Sequence, residues 1–201
     1  MLRRGLVVCI CELVFPLTYE ATGTQPPVVG HTTRPTLAPA PVAPVTDPVT
    51  QAGRIVNVRP ALLLIPSIGL NATIEARGLD ANRNMATAKS YQNVAWYDLG
   101  PAPGQPGNAL INGHVNWWTG NAVFTNLSRV RAGDQVEVIR ADGTVVRFRI
   151  SVKQTVDANA RIASLFAPST VSTLTLITCT GVWNPLTLSD TQRLLVSAVL
   201  A

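Results

Sequence analysis

The sequence predicts an all-β domain closed or nearly closed into a barrel, preceded by an N-terminal stretch that does not join its core. Three observations predict it. Beyond Gly53, short runs of Val, Ile, Leu and Thr alternate with Gly, Pro, Asn and Asp. Helical periodicity is scarce, and many short strands with turn signals between them favour closure, which leaves no edge strand unpaired. A proline-rich segment separates these strands from the N-terminus.

The N-terminus, Met1-Leu2-Arg3-Arg4, is basic, and an apolar stretch from Leu6 to Leu17 follows it, interrupted by Glu12. Residues 1–20 therefore read as an export signal or weak membrane anchor, shorter than the roughly 20 apolar residues a full span needs. Residues 21–53 hold seven of the fifteen prolines between Pro26 and Pro48. Proline fixes its own φ and disfavours helix before it, so this is an extended, semi-rigid linker. Residues 54–201 are left as the folded domain, which is long enough to bury a core.

Within it the clearest hairpin is Val136 to Arg140, Asp142-Gly143, then Val145 to Val152, since Asp-Gly tolerates the positive φ of a tight turn. In its second strand Val146, Phe148, Ile150 and Val152 share one face, and Arg147, Arg149 and Ser151 the other. Further strands are expected at Ala61 to Ile65, Ile68 to Glu75, Ala109 to Asn112, Leu174 to Cys179 and Arg193 to Leu200, with short helical turns near Val123 to Val130 and Ile162 to Phe166. The composition, 47% hydrophobic and 13% charged, fits a globular chain rather than a disordered one. A formal charge of +5 would suit an acidic partner. The arginines are scattered, however, and the only lysines are Lys89 and Lys153, so a mildly basic solvated surface is expected and no nucleic-acid partner.

Three residues could carry chemistry. Of three cysteines, Cys9 and Cys11 lie in the N-terminal segment, which leaves Cys179 alone in the domain. It closes the β-branched run Thr173 to Thr178, and Thr180-Gly181 should stop the strand there. A solitary cysteine is either a small buried hydrophobe or a reactive thiol. His31 lies in the linker, so His114 is the only histidine a scaffold could position. It follows Asn112-Gly113 where an apolar strand runs out. A lone histidine is commonly structural, but beside a thiol it can serve as acid or base. Arg193 opens the apolar run Leu194 to Leu200. It could snorkel to solvent or pair with Asp190; if the last two strands are antiparallel neighbours, it starts beside Cys179 and can donate to an oxyanion.

The segment Thr175-Leu176-Ile177-Thr178-Cys179 resembles the TLxTC signature of sortases. Gly113-His114 resembles their histidine turn, and Arg193-Leu194-Leu195-Val196 their strand-opening arginine. The order is His, Cys, Arg, with separations of 179 − 114 = 65 and 193 − 179 = 14 residues. The resemblance runs from about Leu62 to Ala201 and includes Ile65-Pro66-Ser67-Ile68-Gly69-Leu70. It implies an eight-stranded sortase-type barrel, acting as a monomer tethered to the outer face of the cell membrane. It also implies a cysteine transpeptidase that cleaves an LPxTG-like sorting signal of secreted proteins through a thioester. The acceptor is an amine of a cell-wall precursor or a pilin lysine. By the resemblance Cys179 is the nucleophile, His114 the acid and base, and Arg193 the oxyanion or substrate support.

Thr178 of the signature, with Trp117 and Trp183 following the histidine and the cysteine, are expected to contact the substrate. The compact loop Thr180 to Leu186 points to an E/F-like class. No cofactor is implied. Asp80, Asp98, Asp134, Asp142 and Asp157 lie too far apart to form a calcium loop, so no metal is expected. Two rivals remain: an L,D-transpeptidase-like cell-wall enzyme, disfavoured because Ile177-Thr178 replaces a Gly-Cys turn, and a non-catalytic surface barrel that binds a partner.

Overall fold

The computed structural model describes residues 58–117, 120–186 and 189–201. The expectations for residues 1–20 and 21–53 lie outside the described residues. Eight strands close a barrel: β1 (Pro60–Ile65), β2 (Leu70–Arg77), β3 (Val94–Tyr97), β4 (Gly107–Asn112), β7 (Gln135–Arg140), β8 (Val145–Asp157), β9 (Ser172–Asn184) and β10 (Ser189–Leu200). Around it they run β1-β2-β3-β4-β9-β10-β8-β7, and β7 pairs back with β1. Short strands β5 (Asn116–Trp117) and β6 (Gly120–Asn121) form a separate ribbon. Among the described residues the helical pieces are 3-10 turns: η1 (Pro66–Ile68), η2 (Leu127–Arg129) and η3 (Ala163–Phe166). None is long and apolar enough to cross a membrane.

The all-β expectation holds, and so do its strands, with different ends. Alternation explains the core: Leu63, Ile65, Val136, Val138, Phe148, Leu174, Leu176 and Val196 point inward and are buried. The Asp142-Gly143 hairpin forms as read, with Gly143 at φ 81°. Val152 departs from it: Val146, Phe148 and Ile150 are buried, but Val152 is 50% exposed. A bulge explains this. Val152 pairs with Ser197 and Ile150 with Ala198, leaving Ser151 as the extra residue, which reverses the facing beyond it. Ser151 Oγ donates to the Ser197 carbonyl at 3.0 Å there.

Two pairings are parallel, β2 with β3 and β4 with β9. Parallel neighbours end at the same rim of a sheet, and this sets the site. A second apolar cluster lies outside the barrel wall, where Leu110, Ile177 and Leu195 pack with Met85, Tyr97 and Leu165. The β2–β3 crossover and η3 thus cover the outer face of β4, β9 and β10.

Candidate active site

Strand register brings the three sequence-derived residues together. In the parallel pair Asn112 stands beside Ile177, so two residues further on His114 is level with Cys179. In the antiparallel pair Arg193 is the direct partner of Cys179. The three therefore form a row across adjacent strands, about 4.8 Å apart strand to strand. Cys179 shares its strand face with Ile177, and Arg193 with Leu195, so both point to the outer face, away from the barrel core. All three are buried, with exposures of 3% for His114, 3% for Cys179 and 2% for Arg193. Cys179 is disulfide-bonded in this structure; its thiol chemistry is that of the reduced chain.

The strands do not stop where the sequence suggested. β9 runs five residues past Cys179 to Asn184, and β10 begins four residues before Arg193, at Ser189. The register shifts between Asp190 and Gln192, opposite Gly181. Gly181 sits at φ 92°, and a Cβ there would come within 2.6 Å of Thr191 Oγ1. The Thr180-Gly181 signal is thus a bulge within a longer hairpin, not a strand end. The bulge gathers backbone carbonyls around the guanidinium: Arg193 Nη1 donates to the Asp190 and Gln192 carbonyls, both at 3.0 Å, and Nη2 donates to Ser189 Oγ at 3.0 Å. These contacts fix the guanidinium on the residue whose backbone stands opposite Cys179. Burial pushes the Asp190 carboxyl up, and the Arg193 charge opposes that.

His114 is fixed from both sides. The Gly113 N–H donates to the Ile177 carbonyl at 3.1 Å, and the Phe124 N–H donates to the His114 carbonyl at 2.8 Å. Gly113 is packed so closely that a Cβ would lie 2.7 Å from Phe124 Cδ2 and 2.8 Å from Val123 Cγ1. Burial holds His114 below the ordinary imidazole range. Burial therefore favours the neutral ring.

Of the residues expected at the substrate, Thr178 adjoins the histidine turn. It alternates with Cys179 and is buried, and its Oγ1 donates to the Gly113 carbonyl at 2.7 Å. The structure thus makes it a tie between β9 and the histidine turn, which the sequence reading did not foresee. Trp183 lies on the hairpin beyond the bulge, pairs with Asp190 and is 37% exposed. Trp117 ends β5, where it pairs with Gly120; its side chain and Trp118 lie outside the described residues. Among the described residues, no group of three His, Cys, Asp or Glu could hold a metal.

Sequence reasoning also missed Tyr91, whose ring centroid lies 4.7 Å from that of His114. A lone aromatic in the polar run Lys89-Ser90-Tyr91-Gln92-Asn93 was its only signal.

The sortase-domain family profile matches residues 63–201. Sortase C1 of Streptococcus agalactiae, in complex with MTSET, shares 21% identity at a TM-score of 0.56, over 73% of this chain and 71% of that one. A lid mutant of sortase A from Corynebacterium diphtheriae shares 22% at 0.56, over 76% and 74%. Sortase C-1 from Actinomyces oris shares 22% at 0.54, over 73% and 76%. At these identities the likeness shows the fold. No curated protein matches the chain. The family match spans the barrel with all three strands of the row, and on it this chain belongs to the sortase family.

Proposed function

We propose that the chain is a sortase-type cysteine transpeptidase, with Cys179 as nucleophile, His114 as acid and base, and Arg193 as oxyanion support. The observation that carries this reading is the level row formed by Cys179 on β9, Arg193 on β10 and His114 two residues past the end of β4. Cys179 passes its proton to His114, and the thiolate attacks the carbonyl carbon of the Thr in an LPxTG-like sorting signal. Negative charge develops on the carbonyl oxygen, where the Arg193 guanidinium offers planar, permanently charged donors. Collapse breaks the Thr–Gly bond; the departing glycine amine takes the proton from the His114 imidazolium, and a thioester remains on Cys179. An acceptor amine then attacks the thioester and gives its proton to His114, and the new amide leaves as the thiolate is restored. The low basicity that burial imposes on His114 favours handing the proton on.

The family match supports a place at the cell surface, with sorting signals as substrates and a peptidoglycan precursor or a pilin lysine as acceptor. We assign the chain to the compact, E/F-like class because only four residues of sequence separate the end of β9 at Asn184 from the start of β10 at Ser189. The test mixes the reduced full-length chain with an LPxTG-type peptide and a glycine-based amine, and reads products by mass spectrometry beside Cys179→Ala. An amide-exchange product, or a thioester mass on Cys179, that disappears in Cys179→Ala supports the reading. No product across several pentapeptides, together with a reduced thiol inert to iodoacetamide in the folded chain, would favour a binding barrel in which Cys179 is packing.

A further inference from the structure

The bonds that fix the histidine turn act on its backbone. Gly113 N–H, the Gly113 carbonyl and the His114 carbonyl are tied to Ile177, Thr178 and Phe124. A proton carrier must also hold its ring at one angle, because proton transfer demands heavy atoms within hydrogen-bond reach. Tyr91 packs on that ring, with centroids 4.7 Å apart and planes inclined at 50°, within the range favoured by aromatic pairs.

The segment that carries Tyr91 is anchored at several points. The Lys89 N–H donates to Glu75 Oε2 at 2.9 Å, and Asn93 Nδ2 donates to Glu75 Oε1 at 2.9 Å. Arg77 Nε donates to the Thr87 carbonyl at 3.1 Å. Asn112 Nδ2, two residues before His114, donates to the Ala86 carbonyl at 3.1 Å. The Val123 N–H donates to the Tyr91 carbonyl at 2.9 Å, and the next residue, Phe124, donates to the His114 carbonyl. Consecutive N–H groups thus bind the two ring-bearing residues, so Tyr91 is built into the site rather than resting on it.

We propose that Tyr91 is a positioning residue for His114, its ring holding the imidazole at the angle the proton transfers require and keeping water off that face. The proposal rests on the transpeptidase reading only for the step that His114 performs. Among the described residues, the ionisable groups on the elements that meet the histidine turn are Cys179 on β9, its partner Arg193 on β10 and the Tyr91 phenol; Val123, Phe124 and Thr178 bring no charge. Glu75 and Lys89 flank the Tyr91 segment on its far side. Burial raises the Tyr91 phenol above its ordinary value, so it stays neutral wherever imidazole titrates. Tyr91 therefore acts as cover and not as a charge.

The chain has two histidines, so in a His31→Gln background the imidazole proton signal belongs to His114 alone. We would titrate it by NMR in the reduced full-length chain carrying Tyr91, Tyr91→Phe or Tyr91→Ala, and measure turnover in each. With alanine the midpoint moves up towards the ordinary imidazole value and the acid limb of kcat/KM follows it. The same variant loses about ten- to a hundredfold in kcat with little change in KM, as a misplaced catalytic group does. Phenylalanine keeps the wild-type midpoint. Tyr91→Leu, which retains most of the volume without a flat ring, replaces alanine if that variant does not fold, and loses kcat likewise. A Tyr91→Ala or Tyr91→Leu chain with the wild-type midpoint and kcat overturns the proposal. So does a Tyr91→Phe chain that loses as much as alanine. The titration needs no substrate, so a chain that fails to transpeptidate still reports on Tyr91.

Discussion

Thr178→Val separates the two roles open to the threonine of the signature. Valine keeps the shape and removes the hydroxyl that donates to the Gly113 carbonyl at 2.7 Å. Both residues are buried, so the carbonyl loses this donor with little water to replace it. Leaving a buried acceptor unpaired costs about 1–3 kcal/mol. For a domain of this size each 1 kcal/mol lowers Tm by about 2–4 °C, which gives a fall of roughly 2–12 °C. The freed carbonyl lies one residue before His114, so the turn shifts and kcat falls by about tenfold or more, while KM moves little. Thr178→Ser keeps the hydroxyl and loses one methyl, worth about 0.8 kcal/mol, so it should retain kcat. Thermal unfolding and steady-state transpeptidation of the three chains decide the matter. A valine variant with wild-type Tm and kcat but a raised KM would refute the tie and return Thr178 to the substrate.

Gly113→Ala should destabilise the domain by about 1–3 kcal/mol and lower kcat, because its Cβ would press within 2.7 Å of Phe124; denaturant unfolding measures the first effect and turnover the second. Gly181→Ala should cost about 1–3 kcal/mol, since it combines φ 92° with a 2.6 Å approach to Thr191 Oγ1, and Gly181→Ala with Thr191→Ala should recover the steric part alone. Stability should also depend on pH through His114. Its folded value lies below the unfolded value of about 6.5, so the unfolded chain takes up the proton first on acidification. Its contribution is full above that value and is lost as pH falls towards the folded value. His114→Gln should flatten that slope in urea melts on the acid side of about pH 6.5. Asp190, raised by burial, acts with the opposite sign, its contribution being lost as pH rises from the ordinary carboxylate value towards the raised folded one.

The β9–β10 half of the site was legible because it is local. Cys179 and Arg193 are 14 residues apart and share one hairpin, so β-branched runs on either side of a short turn suffice to set them opposite each other. The ends of that hairpin were not legible. Gly181 signals a break equally well whether it ends a strand or bulges one, and only the pairing of Ser189 with Asn184 decides between them. The facing of Val152 failed for the same reason, since a bulge at Ser151 leaves no mark on the alternation of Val and Ile. β3 was missed because Val94 to Tyr97 is buried at every position and four residues long, too short to show a period. Thr178 was read from its neighbour; strict alternation along β9 would have turned it away from Cys179.

His114 depends on more of the molecule. Its alignment with Cys179 comes from the parallel pairing of β4 with β9, and a parallel pair cannot be joined by a tight turn. The 64 residues between them hold β5 through β8, and β7 and β8 take places beyond β10, where β8 pairs with β10 and β7 closes on β1. The histidine therefore reaches the cysteine only when the strands between them in sequence have found places that are not between them in space. A chain that forms the β9–β10 hairpin alone would set Arg193 opposite Cys179 with no acid or base beside the thiol. On the proposed roles, nucleophile activation by His114 is thus tied to completion of the barrel, whereas oxyanion support by Arg193 is tied only to one hairpin. That division follows from sequence separation and strand direction, before any detail of the chemistry enters.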